Sequence, residues 1–241
     1  MRPEEFLNLA KTHPECASVT IPACIQYYDA AGDVAYREFL LDTAKNASLS
    51  TGTATALFFA WKETGDEMYE KAILEEGKKA FDILEDLAEV YKVHPFFMAY
   101  DTAYAKKEHY ANIVRIFKNM DFSDKWNLAS LIDVISVMSP EIYEHYRALQ
   151  DLFRKKIKEN VEHVGGWEKL NEQKPIDRAI MGYVILSACA NRTLLAEKYE
   201  EYGLTIWESL KDLPEAWDGS DIALMSMCME LYAKVCRIQR A

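Results

Sequence analysis

Residues 54–85 read ATALFFAWKETGDEMYEKAILEEGKKAFDILE. The first part, Ala54–Trp61, is apolar on nearly every face, as a helix buried on both sides should be. Gly65-Asp66 then supplies a helix stop and a new cap. Glu67–Glu85 comes next, with apolar residues at helical spacing and Glu and Lys elsewhere, the pattern of a helix with one wet face. An inner helix, a tight turn and an outer helix make an αα-hairpin, and the rest of the chain repeats that arrangement.

Periodicity and caps predict helices over 2–12, 21–31, 33–45, 49–64, 66–86, 94–105, 107–119, 124–138, 140–163, 175–190, 192–211 and 219–238, with no run of period-2 alternation to indicate a sheet. Gly32-Asp33, Gly65-Asp66, Ser139-Pro140 and Pro214 punctuate the pattern. A weak repeat accompanies it: Tyr36, Tyr69, Tyr110 and Tyr143 each follow a turn at the same offset, with spacings of 33, 41 and 33 residues. Such periods hold one helix pair. A tyrosine near the start of each second helix is expected to pack on the first while its hydroxyl stays wet. Pro95–Tyr104, Leu128–Val137 and Ile180–Ala190 are apolar all round like Ala54–Trp61, whereas Glu144–Glu162 is charged like Glu67–Glu85. Two such layers favour a closed ring over an open solenoid. Pairing helix 2–12 with helix 219–238 closes six pairs, so the expected fold class is all-α, an (α/α)6 barrel of six hairpins forming a single domain over 1–241. The mouth of its inner layer is the expected ligand site.

Composition agrees. The 241 residues contain 9 Gly and 7 Pro, about half the average share of roughly 12%, which leaves few turns for an all-β protein. Lys and Arg number 28 against 39 Asp and Glu, a formal charge of −11 at pH 7. That sign opposes a phosphate backbone, and the densest basic run, Arg154-Lys155-Lys156 with Lys158, is interleaved with Glu159 and Glu162 as on a solvated face. Nucleic acid is therefore not an expected partner. Cys16, Cys24, Cys189, Cys228 and Cys236 show no CxxC spacing and read as core thiols of a reducing compartment. Met1-Arg2-Pro3-Glu4-Glu5 lacks a signal-peptide core, and no apolar run reaches the ~18 residues of a membrane span. The expected location is cytoplasmic, with no membrane partner. Glu141 with His145 and Glu159 with His163 share helix faces, but two ligands do not make a metal site. No phosphate-cradling glycine loop or GxSxG elbow is present. Neither a metal nor another cofactor is expected.

Several segments, taken in order, resemble one family. Ala54–Tyr69, Val90-Tyr-Lys-Val-His-Pro-Phe-Phe-Met-Ala-Tyr-Asp101 followed by Lys106-Lys-Glu-His-Tyr110, Gly165-Gly-Trp167, and Gly182-Tyr-Val-Ile-Leu-Ser-Ala-Cys-Ala190 are similar to successive repeats of the unsaturated glucuronyl and rhamnogalacturonyl hydrolases, glycoside hydrolase families 88 and 105. The resemblance spans residues 20–235 and implies an (α/α)6 barrel acting on or binding a carbohydrate. It implies hydration of the C4=C5 bond of a terminal unsaturated uronic acid by an acid–base carboxyl, with a second carboxyl beside it.

The chain also departs from that pattern. In Leu87-Ala-Glu-Val-Tyr-Lys92 strict spacing puts Ala88 where the family's catalytic aspartate belongs, with Glu89 adjacent. Residues 47–53, Ala-Ser-Leu-Ser-Thr-Gly-Thr, hold no acid where the second aspartate belongs. The stretch from Met120 to Asp124 is short where active relatives carry a long insertion. The candidate catalytic residues are Glu89, as general acid and base, and Asp101, an acid on an apolar helix where an unpaired carboxylate is costly. Asp133, amid Leu131-Ile132 and Val134-Ile135, raises the same question. The candidate binding residues are His94, Tyr100, Trp126, Asp177, Trp217 and Asp218: Trp126 matches a family tryptophan, Asp177 lies close to a family acidic position, and Trp217-Asp218-Gly219 stands in place of a family His-Gly element. The alternative is a non-catalytic helical scaffold that binds a sugar or a protein partner.

Overall fold

Twelve α-helices account for nearly all regular structure in a computed structural model that describes residues 2–83, 90–211 and 221–240. They are α1 (Pro3–Thr12), α2 (Ala17–Ala31), α3 (Val34–Ala44), α4 (Thr55–Thr64), α5 (Glu67–Ile83), α6 (Val90–Ala103), α7 (Tyr110–Lys118), α8 (Lys125–Val137), α9 (Tyr143–His163), α10 (Pro175–Ala190), α11 (Ala196–Leu210) and α12 (Ile222–Ile238). Short 3-10 turns at Pro14–Cys16 and Trp167–Glu172 precede α2 and α10. No strand occurs among the described residues, so the all-α expectation holds.

The turns work as their residues require. Gly32 and Gly65 end α2 and α4 with φ of 71° and 67°, a left-handed conformation that costs a residue with a Cβ. Asp33 and Asp66 then accept from the backbone N–H groups of Ala35 and Met68 at 2.9 Å, capping α3 and α5. Two prolines sit inside helices rather than at their starts. Pro22 lies in α2 and Pro95 in α6, so α2 begins at Ala17, four residues before the expected 21, and α6 already includes Val90 ahead of the expected 94. Conversely, α4 begins only at Thr55: residues 48–53 form a loop in which Ser48 and Thr53 hold each other by backbone and side-chain hydrogen bonds. In the tyrosine series, Tyr36, Tyr69 and Tyr110 are buried and Tyr143 is exposed. The hydroxyls of Tyr36 and Tyr110 are not wet. Tyr36 donates to the Pro3 carbonyl at 2.6 Å, and Tyr110 accepts from the Ser139 N–H at 2.8 Å. Burial of a phenol requires such a partner.

The even-numbered helices carry the core. In α10 every residue from Ala179 to Cys189 is buried, whereas the long α9 buries only Leu149, Phe153, Ile157 and Val161, one face at helical spacing. α6 packs on α8, α8 on α10, α10 on α12, α12 on α2 and α2 on α4, while α5 contacts both α4 and α6. The buried side chains form two clusters. One gathers α1 to α5; the other gathers most of α6 to α11. α12 belongs to both, giving Met227, Leu231 and Val235 to the second and Ile222, Met225 and Met229 to the first. Phe58, Tyr100 and Tyr232 pack against both clusters, marking the seam.

None of the five cysteines forms a disulfide, Cys24, Cys189 and Cys228 are buried, and burial pushes Cys189 and Cys228 up to about 12. Such thiols are inert filler rather than nucleophiles. Among the described residues, no helix is long and apolar enough to cross a membrane.

Candidate functional site

A cavity of about 830 Å³ opens at the seam between the two clusters. Its wall follows from helical periodicity. α2 contributes Ser18, Pro22, Ile25, Gln26 and Asp29, and α4 contributes Thr55, Phe58, Phe59 and Lys62, each set repeating every three or four residues as one helix face does. Pro95, Phe96 and Ala99 of α6, Asp133, Ser136 and Val137 of α8, and Lys234 of α12 complete the inner wall, while Glu76 and Lys79 reach in from α5. Ser18 and Asp29 are eleven residues apart on one helix, so the cavity runs about 16 Å along α2. Both intrahelical prolines face it. Each withholds the N–H that would bond the carbonyl one turn earlier, which for Pro22 is that of Ser18.

One end of the cavity is a loop anchored by an acid. Glu76, buried on α5, accepts from the Leu49 N–H at 2.7 Å and pairs with Lys79. Gly52 is required there: its φ is 71°, and a Cβ would come within 2.8 Å of the Ser18 Cβ. The segment 47–53, which carries no acid of its own, thus receives one from the neighbouring helix.

A second polar group in the wall consists of Asp133, Lys234 and Asp29. Tyr183 of α10 donates its hydroxyl proton to Asp133 Oδ1. Burial pushes the Asp133 carboxyl up to about 6, against the pull of that hydrogen bond and of the Lys234 charge. Lys234 donates to Gln26 Oε1 at 3.2 Å and lies 5.3 Å from the centre of the Tyr183 ring. Its ammonium is held below the usual lysine range, chiefly by burial, with Asp133, Glu230 and Asp29 acting to restore it. Three carboxylates therefore stand within electrostatic reach of one amine. Asp29 in turn lies 3.5 Å from Arg237 Nη2.

Asp101, the other acid on an apolar inner helix, has a different setting. It is fully buried, and it accepts from His109 twice: from Nδ1–H at 2.7 Å and from the backbone N–H at 3.1 Å. Burial raises its pKa while those two hydrogen bonds lower it. The arrangement ties the end of α6 to the start of α7 across a loop whose Lys106 and Lys107 have φ of 54° and 66°.

The other candidates from sequence are scattered. His94 is buried with its ring 5.2 Å from that of Phe117, on the α7 side of α6. Tyr100 packs against Phe97 and Tyr104 and lies over Gly77, where a Cβ would fall 2.2 Å from its ring. Trp126 packs against the second cluster. Asp177 is 3.5 Å from Lys125 Nζ, a pair that joins the starts of α8 and α10. None of these, nor Asp101, lines the cavity. Glu89, Trp217 and Asp218 lie outside the described residues. Among the described residues no three His, Cys, Asp or Glu side chains are grouped to hold a metal ion.

Asp29, Gln26 and Lys234 were not singled out from sequence. A signal existed: Lys234 stands between the buried Ala233 and Val235 in a helix that is buried along most of its length, and Asp29 continues the stripe Ser18, Pro22, Gln26. Comparison of the chain with protein-family models, curated proteins and solved structures finds no match.

Proposed function

We propose that the twelve helices close as an (α/α)6 barrel and that its cavity binds a small carbohydrate, with Asp133 as the acid–base group of any reaction carried out there. The closure is supported by the order of helix contacts, α6 through α8, α10 and α12 to α2 and α4, with α5 joining α4 to α6. The resemblance to the unsaturated uronyl hydrolases points the same way.

The observation that carries the reading is the cavity. At about 830 Å³ it falls within the roughly 300–1,000 Å³ of small-molecule sites. Phe58 offers flat apolar surface to the C–H face of a sugar ring, backed by the buried Phe59 and Phe96, and Asp133, Asp29, Gln26 and Ser136 offer hydrogen-bonding partners to its hydroxyls. A carboxyl poised near pH 6 exchanges protons readily at neutral pH, and hydration of an enol ether needs that exchange. Lys234 supplies positive charge for an acidic sugar inside a protein whose overall charge is negative.

The direct test uses unsaturated rhamnogalacturonan and glucuronan disaccharides, followed by loss of the double-bond absorbance and, in parallel, by calorimetric binding. Turnover that falls at least about a hundredfold in Asp133→Asn supports the acid–base role. Binding without turnover supports the scaffold reading, which the engagement of Asp101 with His109 and of Asp177 with Lys125 favours. Absence of both binding and turnover overturns the carbohydrate assignment.

A further inference from the structure

We propose that Lys234 is a carbonyl-reactive lysine, condensing with an aldehyde or ketone group of a molecule in the cavity while the Asp133 carboxyl moves the protons. The inference goes beyond carbohydrate binding and stands on the placement of one amine. Lys234 is half-buried, lines a ligand-sized cavity, and is oriented by Gln26 on α2 and by the face of Tyr183 on α10. Tyr183 also holds Asp133 through its hydroxyl, so one residue positions the amine and the acid together.

The charged groups around Lys234 are Asp133 on α8, Asp29 on α2, and Glu230 and Arg237 on its own helix. Burial and Arg237 lower its pKa, the three acids raise it, and burial is the largest effect. A larger fraction of this amine is therefore neutral, and nucleophilic, than in a surface lysine. Asp133, with its pKa pushed up to about 6, is available in both protonation states near neutral pH.

The step balances without an oxidant or reductant. The Nζ lone pair forms a bond to the carbonyl carbon, and the C=O π pair moves to oxygen. Asp133 relays a proton from nitrogen to that oxygen, giving a carbinolamine. Asp133 then protonates the hydroxyl, which leaves as water while the nitrogen lone pair forms the C=N bond. The resulting iminium returns its proton to the Asp133 carboxylate. Amine and carbonyl have become imine and water.

The test incubates the full chain with glycolaldehyde, quenches timed samples with borohydride to fix any imine as a secondary amine, and locates the adducts by peptide mass spectrometry. Lys71 and Lys155, whose side chains are 75% and 69% exposed, serve as internal references. Lys234 is expected to be labelled at least about tenfold faster than either. Labelling no faster than the references overturns the proposal. In Asp133→Asn, with its helix content checked by circular dichroism, loss of the negative charge leaves more of the amine neutral. A roughly tenfold slower labelling of Lys234 alone then reports lost proton transfer, and an unchanged or faster rate removes Asp133 from the step.

Discussion

Asp101 on α6 and Asp133 on α8 look alike in sequence, each a lone carboxylate within an apolar helix, yet the fold uses them in opposite ways. Asp101 is sealed from water and occupied: the ring and backbone of His109 both donate to it, and the pair fixes a strained connection between two helices. Asp133 is only partly buried, opens on a cavity, and has one hydroxyl donor and a nearby ammonium. Both pKa values are raised by burial, so the shift alone does not separate a structural acid from a reactive one. What separates them is whether the remaining lone pairs face protein donors or open space.

Removing Asp101 therefore has the largest expected effect on stability. Asp101→Ala strands two donors of His109 and leaves a void, a loss of about 3 kcal/mol measurable by urea denaturation. A loss no larger than that of an Asp133 variant breaks the comparison. His109→Ala comes next, at about 1–2 kcal/mol. It removes the largest influence lowering the Asp101 pKa. A carboxyl whose folded pKa is raised is most stabilising below its unfolded pKa of about 3.9 and loses that contribution as pH rises through the folded value. The histidine variant should accordingly lose more stability at pH 7 than at pH 4.

Much of this fold was legible because the breakers are few and placed by backbone need. Gly32 and Gly65 are the left-handed stops that a helix end favours, and Asp33 and Asp66 cap the helices after them. The prolines misled: the sequence predicts helix starts at 21 and 94, just before Pro22 and Pro95, but each proline sits inside its helix on the cavity face, where the lost hydrogen bond is tolerated. The site was less legible. Asp133 stood out because an acid among Leu131, Ile132, Val134 and Ile135 needs a reason. Its partners did not, since Tyr183 lies 50 residues away and Lys234 another 51, and only the packing of α8 on α10 and of α10 on α12 brings them together. A lysine on a helix reads as solvated by default; Lys234 is held inside by the meeting of α12 with α2, two helices about as far apart in sequence as the chain allows.

Asp133→Asn should act in the opposite direction from Asp101→Ala. The folded pKa of Asp133 is pushed up to about 6, so ionisation is disfavoured in the folded state, and the cost grows as pH rises from about 4 to 6. Asparagine can accept the Tyr183 hydroxyl without carrying charge. The variant should gain on the order of 1 kcal/mol above pH 7 and nothing near pH 4, read as a change in the pH dependence of the urea midpoint. Equal loss at both pH values would class Asp133 with Asp101 as a structural acid.

The smallest effect on stability, and the sharpest on the comparison, belongs to Tyr183→Phe. The ring stays packed, so the fold should lose less than about 1 kcal/mol, but Asp133 loses the hydrogen bond that contributes most to holding its pKa down. Its carboxyl should then titrate above 6, observable by NMR of the carboxyl carbon, while Asp101, which does not share this donor, keeps its own titration. With the acid neutral over more of the pH range, the Lys234 ammonium loses part of its counter-charge and its pKa falls further. One removed hydroxyl thus moves two groups in opposite directions without disturbing the His109–Asp101 contact. If Asp133 does not shift, its state is set by the charge of Lys234 rather than by Tyr183, and the amine becomes the organising group of the cavity.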